Sequence, residues 1–141
     1  MDKKKLLMVA NVDWFFISHR LVIAEEAQKQ GFEVIVAAED TGRSQEITAK
    51  GIQFINLSFS RSGTNAIEEI NTLIKFYKIY SSFKPDIVHH ITLKPVIYGS
   101  IIAKLLKING IVNAVSGLGY NFTEGRVNMV SKIMLRLMRY G

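Results

Sequence analysis

Three cationic residues lie where a positive charge could bind a phosphate group. Arg20, next to His19, falls in the first turn of a predicted helix, where a positive charge opposes the helix dipole unless an anion compensates it. Arg61 lies in a polar turn of serine and glycine, and Lys94 directly precedes Pro95 at the start of another predicted helix. These positions predict contacts to an anionic ligand, although each also suits a solvated surface residue.

Histidine and aromatic residues give weaker signals at two other predicted strand ends. His89 and His90 end a strand, and neighbouring strand residues point to opposite faces, so at most one of them reaches a cleft. Their spacing supports no Ser-His-Asp triad, and no catalytic residue is assigned. The aromatic run that starts at Trp14 is predicted to form a loop, where it either meets an apolar acceptor or packs over the sheet edge.

A glycine-containing loop is predicted after the fifth strand. Gly117, Gly119 and Tyr120 belong to it, and the loop either approaches a ligand or makes an ordinary turn. Phe122 stands where a third glycine would complete Gly-x-Gly-x-x-Gly, and the loop after the first strand has neither glycines nor a Walker lysine. This pattern argues against a nicotinamide dinucleotide site and against a P-loop.

The composition indicates one domain with an uneven charge distribution. The 141 residues are 48% hydrophobic and 21% charged, with no cysteine, so we expect an ordered domain in a reducing cytoplasm, without a metal site. Residues 1–70 hold eight Lys/Arg and ten Asp/Glu, whereas residues 71–141 hold ten and two. The charge of the second half alone predicts an anionic partner, which is a phosphate group, an acidic lipid or a nucleic acid, or else a solvated basic face. We expect no nucleic-acid partner.

Membrane association, if present, is predicted to be peripheral. The longest uncharged run, 108–123, is rich in glycine and asparagine and cannot span a bilayer. A final predicted helix, 126–140, interleaves basic and apolar residues, so it either lies on an anionic membrane or packs on the sheet. We therefore expect a cytoplasmic protein, with an anionic membrane surface as one of the two alternatives for its last helix.

Alternating strands and helices must position these residues. Strands are predicted at 5–11, 32–38, 52–57, 86–90 and 111–115, and helices at 19–30 after an N-cap at Ser18, at 41–50, at 65–83, at 95–107 and at 126–140. This order predicts a single three-layer α/β domain over residues 1–141, Rossmann-like, with a doubly wound parallel sheet of about five or more strands. Its ligand loops follow the first and fourth strands, at the switch point.

Four segments in this order are similar to a known enzyme family. They are FSRSGTN at 59–65, KPDIVH at 84–89, TLKPVIYG at 92–99 and GLGYNF at 117–122. Together they resemble the N-terminal half of family 4 glycosyltransferases, closest to the bacterial enzymes that build capsular polysaccharide, O-antigen and lipid-linked glycans. The resemblance extends from residue 6 to about residue 138.

The resemblance implies an acceptor-binding domain of a GT-B enzyme. In such enzymes a C-terminal domain, which is not expected within these 141 residues, holds most of the nucleotide-sugar site, and transfer needs no metal or other cofactor. Arg61, Lys94 and the loop of Gly117, Gly119 and Tyr120 are then expected to contact a glycan or polyprenyl-diphosphate acceptor. The first loop departs from the glycine-rich family pattern, and the 141 residues alone are not expected to transfer sugar.

The sequence is also compatible with two other functions. A non-catalytic chain that recruits a separate catalytic subunit to a membrane would share the same fold and charge. A nucleotide-sugar epimerase or dehydrogenase would also share the fold, but the first turn lacks the glycines that such an enzyme uses to bind its cofactor.

Overall fold

The computed structural model describes residues 3–58 and 66–114. The elements, in chain order, are β1 (Lys5–Val12), α1 (Asp13–His19), α2 (Leu21–Lys29), β2 (Glu33–Glu39), α3 (Gln45–Thr48), β3 (Gln53–Asn56), α4 (Ala66–Phe83), β4 (Ile87–His90), a π-helical turn (Pro95–Gly99), α5 (Ser100–Leu105) and β5 (Gly110–Asn113). No helix within these ranges is long and apolar enough to cross a bilayer. The predictions on Arg61, on Gly117, Gly119 and Tyr120, and on the helix 126–140 lie outside the described residues.

The five strands form one parallel sheet in the order β3-β2-β1-β4-β5. The chain runs outward from β1 to β3 and then crosses back to β4, so the strand order reverses between β1 and β4. These two strands pair in register from Leu6 with Ile87 to Val9 with His90. The predicted Rossmann-like α/β fold with a doubly wound parallel sheet is confirmed.

Both faces of the sheet are covered because alternate side chains of the central strands point to opposite sides. Leu6 and Met8 pack with side chains of α1 and α2, whereas Leu7 and Val9 pack with side chains of α4 and α5. A strand buried on both faces requires a nearly continuous apolar run, and this explains the sequence of β1.

The segment predicted as the first loop is instead a helix. α1 follows β1 directly, and Phe16 is buried in the core on its side of the sheet. Burying a phenylalanine ring contributes about 1.5–3 kcal/mol, which favours the helical path over an open loop. The N-cap prediction for Ser18 is wrong, because this residue lies inside α1 and its Oγ donates to the Trp14 carbonyl at 2.9 Å.

Two other helices also differ from their predicted extent. The predicted helix 41–50 is reduced to α3, because the backbone N–H groups of Thr41 and Arg43 both donate to the Asp13 carboxylate. The predicted helix 95–107 begins as a π-helical turn and continues as α5. Single π turns inside helices often lie at functional sites, and this one follows directly on the β4 edge.

Candidate functional site

The carboxyl ends of β1 and β4 meet where the strand order reverses. The Ile91 N–H donates to the Val9 carbonyl at 2.9 Å, and Asn11 and Thr92 each follow the paired residues Val9 and His90 by two positions. A helical segment begins directly after Thr92, and α1 begins at the same edge. Ligands of open parallel sheets bind at this position, in the crevice beyond the strand ends. We call it the switch-point site.

Three buried polar atoms at the switch-point site have no hydrogen-bond partner among the described residues. They are Asn11 Oδ1, His89 Nε2 and Thr92 Oγ1. A buried polar atom left unpaired costs about 1–3 kcal/mol, and native structures contain few of them. The three residues lie at the carboxyl ends of β1 and β4 or just beyond them, which makes this edge of the sheet the candidate site for a ligand.

His89 lies on the sheet face covered by α1 and α2, since residues of β4 alternate between the two cores. Burial, together with the nearby Arg20 guanidinium, lowers the pKa of His89 below its ordinary value of 6.5. The ring is therefore neutral at pH 7 and offers one donor and one acceptor nitrogen. Arg20 itself lies at the junction of α1 and α2 and donates from Nη1 to the His19 carbonyl.

His90 points to the opposite face and is part of the core. Its Nε2 lies 2.7 Å from the Tyr80 hydroxyl, and its Nδ1 lies 2.8 Å from Asn113 Oδ1. Burial lowers the pKa of His90 to about 4, so this ring is also neutral at pH 7. The prediction that only one of the two histidines reaches a cleft agrees with these opposite environments, and His90 is the structural one.

Gly99 allows the His90 network to form. A Cβ added at this position would collide with His90 Nε2 and with the Tyr80 hydroxyl. We expect Gly99→Ala to lower the free energy of unfolding by about 1–3 kcal/mol, the usual cost of overpacking a dense core. Chemical denaturation of both proteins measures the difference, and equal midpoints with equal slopes would contradict the role given to Gly99.

Asp13 holds the start of α1 next to the loop after β2, at the same edge of the sheet as the site. Its carboxylate accepts the backbone N–H groups of Trp14, Thr41 and Arg43 and the Thr41 hydroxyl, and the side chain is fully buried. Burial of the carboxyl group opposes its ionisation, but the hydrogen bonds from Thr41, Arg43 and Trp14 outweigh it and lower the pKa of Asp13. The residue therefore joins the start of α1 to the loop after β2.

Lys94 lies two residues after Thr92 in the same helical segment, half-buried at the site edge. Burial lowers the pKa of its ammonium group, while the nearby carboxylates of Glu69 and Glu68 raise it. Glu69 also makes a side-chain hydrogen bond with Tyr98. These contacts bring the first turn of α4 against the helical segment that follows β4.

Trp14 and His19 lie on the outer side of α1. Trp14 is 46% exposed and meets the edge of the Phe15 ring, with the two centroids 6.0 Å apart. His19 stacks on the other side of Phe15 at 4.2 Å, and its Nδ1 lies 3.1 Å from the Phe15 carbonyl. Of the aromatic run, Trp14 and Phe15 therefore lie on the surface of α1 beside the site, whereas Phe16 packs in the core.

The structure thus brings together some of the residues that the sequence singled out. Arg20 approaches His89, and Lys94 lies in the first turn of the helical segment that follows Thr92, whose hydroxyl is unpaired among the described residues. The sequence reasoning missed Asn11, Asp13 and Thr92, although each lies at the carboxyl end of a predicted strand. This set of neutral hydrogen-bonding groups and two cations suits the hydroxyl and phosphate groups of a sugar phosphate.

Comparison with protein families finds one matching description. A model described as glycosyl transferase 4-like matches residues 5–141. Comparison with curated proteins gives no match.

Solved structures with the same fold include glycosyltransferases and an epimerase. MurG of Acinetobacter baumannii is 21% identical with a TM-score of 0.63, and the match covers 89% of this chain and 40% of that protein. CalG4, the calicheamicin glycosyltransferase, is 15% identical with a TM-score of 0.65, and 99% of this chain covers 43% of it. UDP-GlcNAc 2-epimerase of Neisseria meningitidis is 20% identical with a TM-score of 0.63, and 94% of this chain covers 38% of it.

Proposed function

The chain belongs to the glycosyl transferase 4-like family, and we propose that it is the acceptor-binding N-terminal domain of an enzyme that transfers a sugar from a nucleotide-sugar. The proposed acceptor is a glycan or a polyprenyl-diphosphate-linked sugar used in surface polysaccharide biosynthesis. The chain spans about two fifths of the length of the solved glycosyltransferases that it matches, so the donor and the reaction of the whole enzyme are part of this proposal.

The observation that carries the proposal is the set of unpaired atoms at the switch-point site. Asn11 Oδ1, His89 Nε2 and Thr92 Oγ1 suit the hydroxyl groups of a sugar, which both donate and accept hydrogen bonds. The helical segment after Thr92 points its N-terminus, with its partial positive charge, at the same edge. Arg20 adds a positive charge, and so does Lys94 beside Glu68 and Glu69, so a sugar joined to a diphosphate matches both kinds of group.

The groups present in this domain suit acceptor binding, so donor binding is assigned to a second domain. On this proposal the described residues bind the hydroxyl and phosphate groups of the acceptor, and no nucleophile or general base is assigned among them. We propose that a second domain binds the nucleotide-sugar, that protein groups rather than a metal hold its diphosphate, and that the 141 residues alone transfer no sugar. The expected location is the cytoplasmic face of the plasma membrane, where a lipid-linked acceptor is available.

Lys94 provides the test of this proposal. We expect Lys94→Ala to weaken binding of a short-chain prenyl diphosphate carrying N-acetylglucosamine (the prenyl-diphosphate probe) about tenfold, because one charge-assisted hydrogen bond contributes about 1.5 kcal/mol or more. Isothermal titration calorimetry measures the dissociation constants. Lys104→Ala is the matched control, since Lys104 is an exposed lysine of α5 in the same helical segment. Equal losses for both variants, or no binding by the unaltered chain, would refute the proposed acceptor site.

A second candidate function rests on the epimerase similarity. UDP-GlcNAc 2-epimerase of Neisseria meningitidis has the same fold, so half of a nucleotide-sugar epimerase would also fit. The family match favours the transferase. Calorimetry separates the two, because an epimerase half would bind UDP-N-acetylglucosamine in preference to the prenyl-diphosphate probe. A membrane-recruiting subunit without catalysis would bind the probe as well, and it would differ in having its catalytic domain on a separate chain.

A further inference from the structure

Trp14 is a large aromatic side chain that the fold leaves exposed at the edge of the switch-point site. It is the one tryptophan of the chain, it lies in the first turn of α1, and it is 46% exposed. Asn11, whose buried Oδ1 has no partner among the described residues, lies three positions before it in β1. A single exposed ring is common on protein surfaces, but an exposed ring beside unpaired polar atoms is typical of a ligand site.

The indole is held in place by its neighbours. The Trp14 N–H donates to Asp13 Oδ1 at 2.7 Å, and the Trp14 carbonyl accepts the Ser18 hydroxyl at 2.9 Å. The indole meets the edge of the Phe15 ring, and Phe15 in turn stacks on His19 with the ring centroids 4.2 Å apart. The ring therefore has a fixed base before a ligand arrives, which reduces the entropy that is lost on binding.

The groups around the indole indicate what kind of ligand covers it. The exposed residues of α1 besides Trp14 are Ser18 and His19, both of which are polar. A prenyl chain needs an apolar surface several side chains long, whereas the exposed part of α1 offers one large ring. The pyranose ring of a sugar has a face of C–H groups and a rim of hydroxyl groups. It therefore matches the negative face of one indole that is bordered by hydrogen-bonding atoms.

We propose that Trp14 is the platform on which the sugar ring of the acceptor stacks. The unpaired atoms of Asn11, His89 and Thr92 would then bind hydroxyl groups, and the two cations of the site would bind the diphosphate. Trp14 would make the site prefer a diphosphate that carries a sugar over the bare prenyl diphosphate. This role as a specificity-determining residue rests on the proposed function.

Fluorescence provides a direct readout, because the emission of the full chain's one tryptophan reports on contact with Trp14. We compare the prenyl-diphosphate probe with the same prenyl diphosphate without its sugar (the sugar-free probe). The prenyl-diphosphate probe is expected to change the emission of Trp14 in a saturable way, and the sugar-free probe is expected to leave it unchanged.

Calorimetry of variants measures the contribution of the ring. We expect Trp14→Ala to weaken binding of the prenyl-diphosphate probe about tenfold and Trp14→Phe, which keeps an aromatic ring, only about threefold. Both variants are expected to bind the sugar-free probe as the unaltered chain does. Tyr77→Ala is the matched control, since Tyr77 is 45% exposed on α4, at the other face of the sheet. It is expected to bind both probes normally.

Three results would overturn the platform. One is an unchanged Trp14 emission at saturating prenyl-diphosphate probe, the second is an equal loss of affinity in Tyr77→Ala, and the third is an equal loss for both probes in Trp14→Ala. Binding of both probes without dependence on Trp14 would refute the platform and leave the acceptor site in place.

A phosphate-free sugar, N,N′-diacetylchitobiose, separates failure of the platform from failure of the proposed function. If this sugar changes the emission of Trp14 and neither diphosphate binds, the platform stands and the proposed diphosphate acceptor is refuted. If none of the three compounds binds the unaltered chain, both are refuted.

Discussion

Asp13→Ala is expected to lower the free energy of unfolding by about 3–5 kcal/mol. The substitution removes a buried carboxylate and leaves three backbone N–H groups, those of Trp14, Thr41 and Arg43, without an acceptor. Hydrogen bonds to a charged group are each worth about 1.5–3 kcal/mol, although their losses do not add fully. Urea denaturation, followed by far-ultraviolet circular dichroism, gives the difference.

Asp40→Ala is the control, because Asp40 is exposed in the same loop and accepts hydrogen bonds from the Gly42 N–H and the Ser44 hydroxyl. Asp40→Ala is expected to lower the free energy of unfolding by less than about 1 kcal/mol. The contribution of Asp13 also depends on pH. Because the folded pKa of Asp13 is lowered, its contribution is complete above the unfolded pKa of about 4 and is lost as the pH falls through the folded pKa. Equal costs for both substitutions would contradict the role of Asp13.

The second prediction concerns a double substitution that is expected to weaken ligand binding without lowering the stability of the fold. We expect His89→Leu combined with Thr92→Val to weaken binding of the prenyl-diphosphate probe about 10–100-fold. The same double substitution should leave the free energy of unfolding unchanged or raise it by about 1 kcal/mol, because it removes two buried polar atoms that have no partner among the described residues. Calorimetry and urea denaturation of the same preparation measure both quantities.

His90→Leu is the control on the opposite face of β4. It leaves the Tyr80 hydroxyl and Asn113 without their buried partner, so it should lower stability by about 1–3 kcal/mol. If His89→Leu with Thr92→Val destabilised the protein as His90→Leu does, and left probe binding intact, these residues would be structural and the switch-point site would have to be abandoned.

The sheet could be predicted from the sequence because its signals are local. A strand buried on both faces needs an apolar run, as at Leu7 and Val9, and Gly31 and Gly51 end their segments with positive φ angles of 99° and 80°. Because these apolar runs alternate with helices, and crossover connections between parallel strands are right-handed, only a few sheet topologies are possible. The opposite environments of His89 and His90 follow from the same periodicity.

The start of α1 and most of the candidate site could not be predicted, because they depend on contacts that are distant in sequence. Asp13 acts through Thr41 and Arg43, which come together with it only when β1 and β2 pair. Ser18 has the residue type of an N-cap, but it lies inside α1, and the helical path of this segment is favoured by the burial of Phe16. Thr92 and Asn11 become notable only because they are buried without partners, and a sequence does not show burial of single atoms.

The central claim is that an acceptor diphosphate sugar binds at the carboxyl edge of β1 and β4. Titration of the isotope-labelled chain with the prenyl-diphosphate probe, followed by amide chemical shifts, tests it most directly. We predict saturable shifts at Val12, Trp14 and Thr92, without comparable shifts at Asp86 and Asn109, which lie at the opposite edge of the sheet. Shifts confined to Asp86 and Asn109, or no shifts at all, would contradict the account.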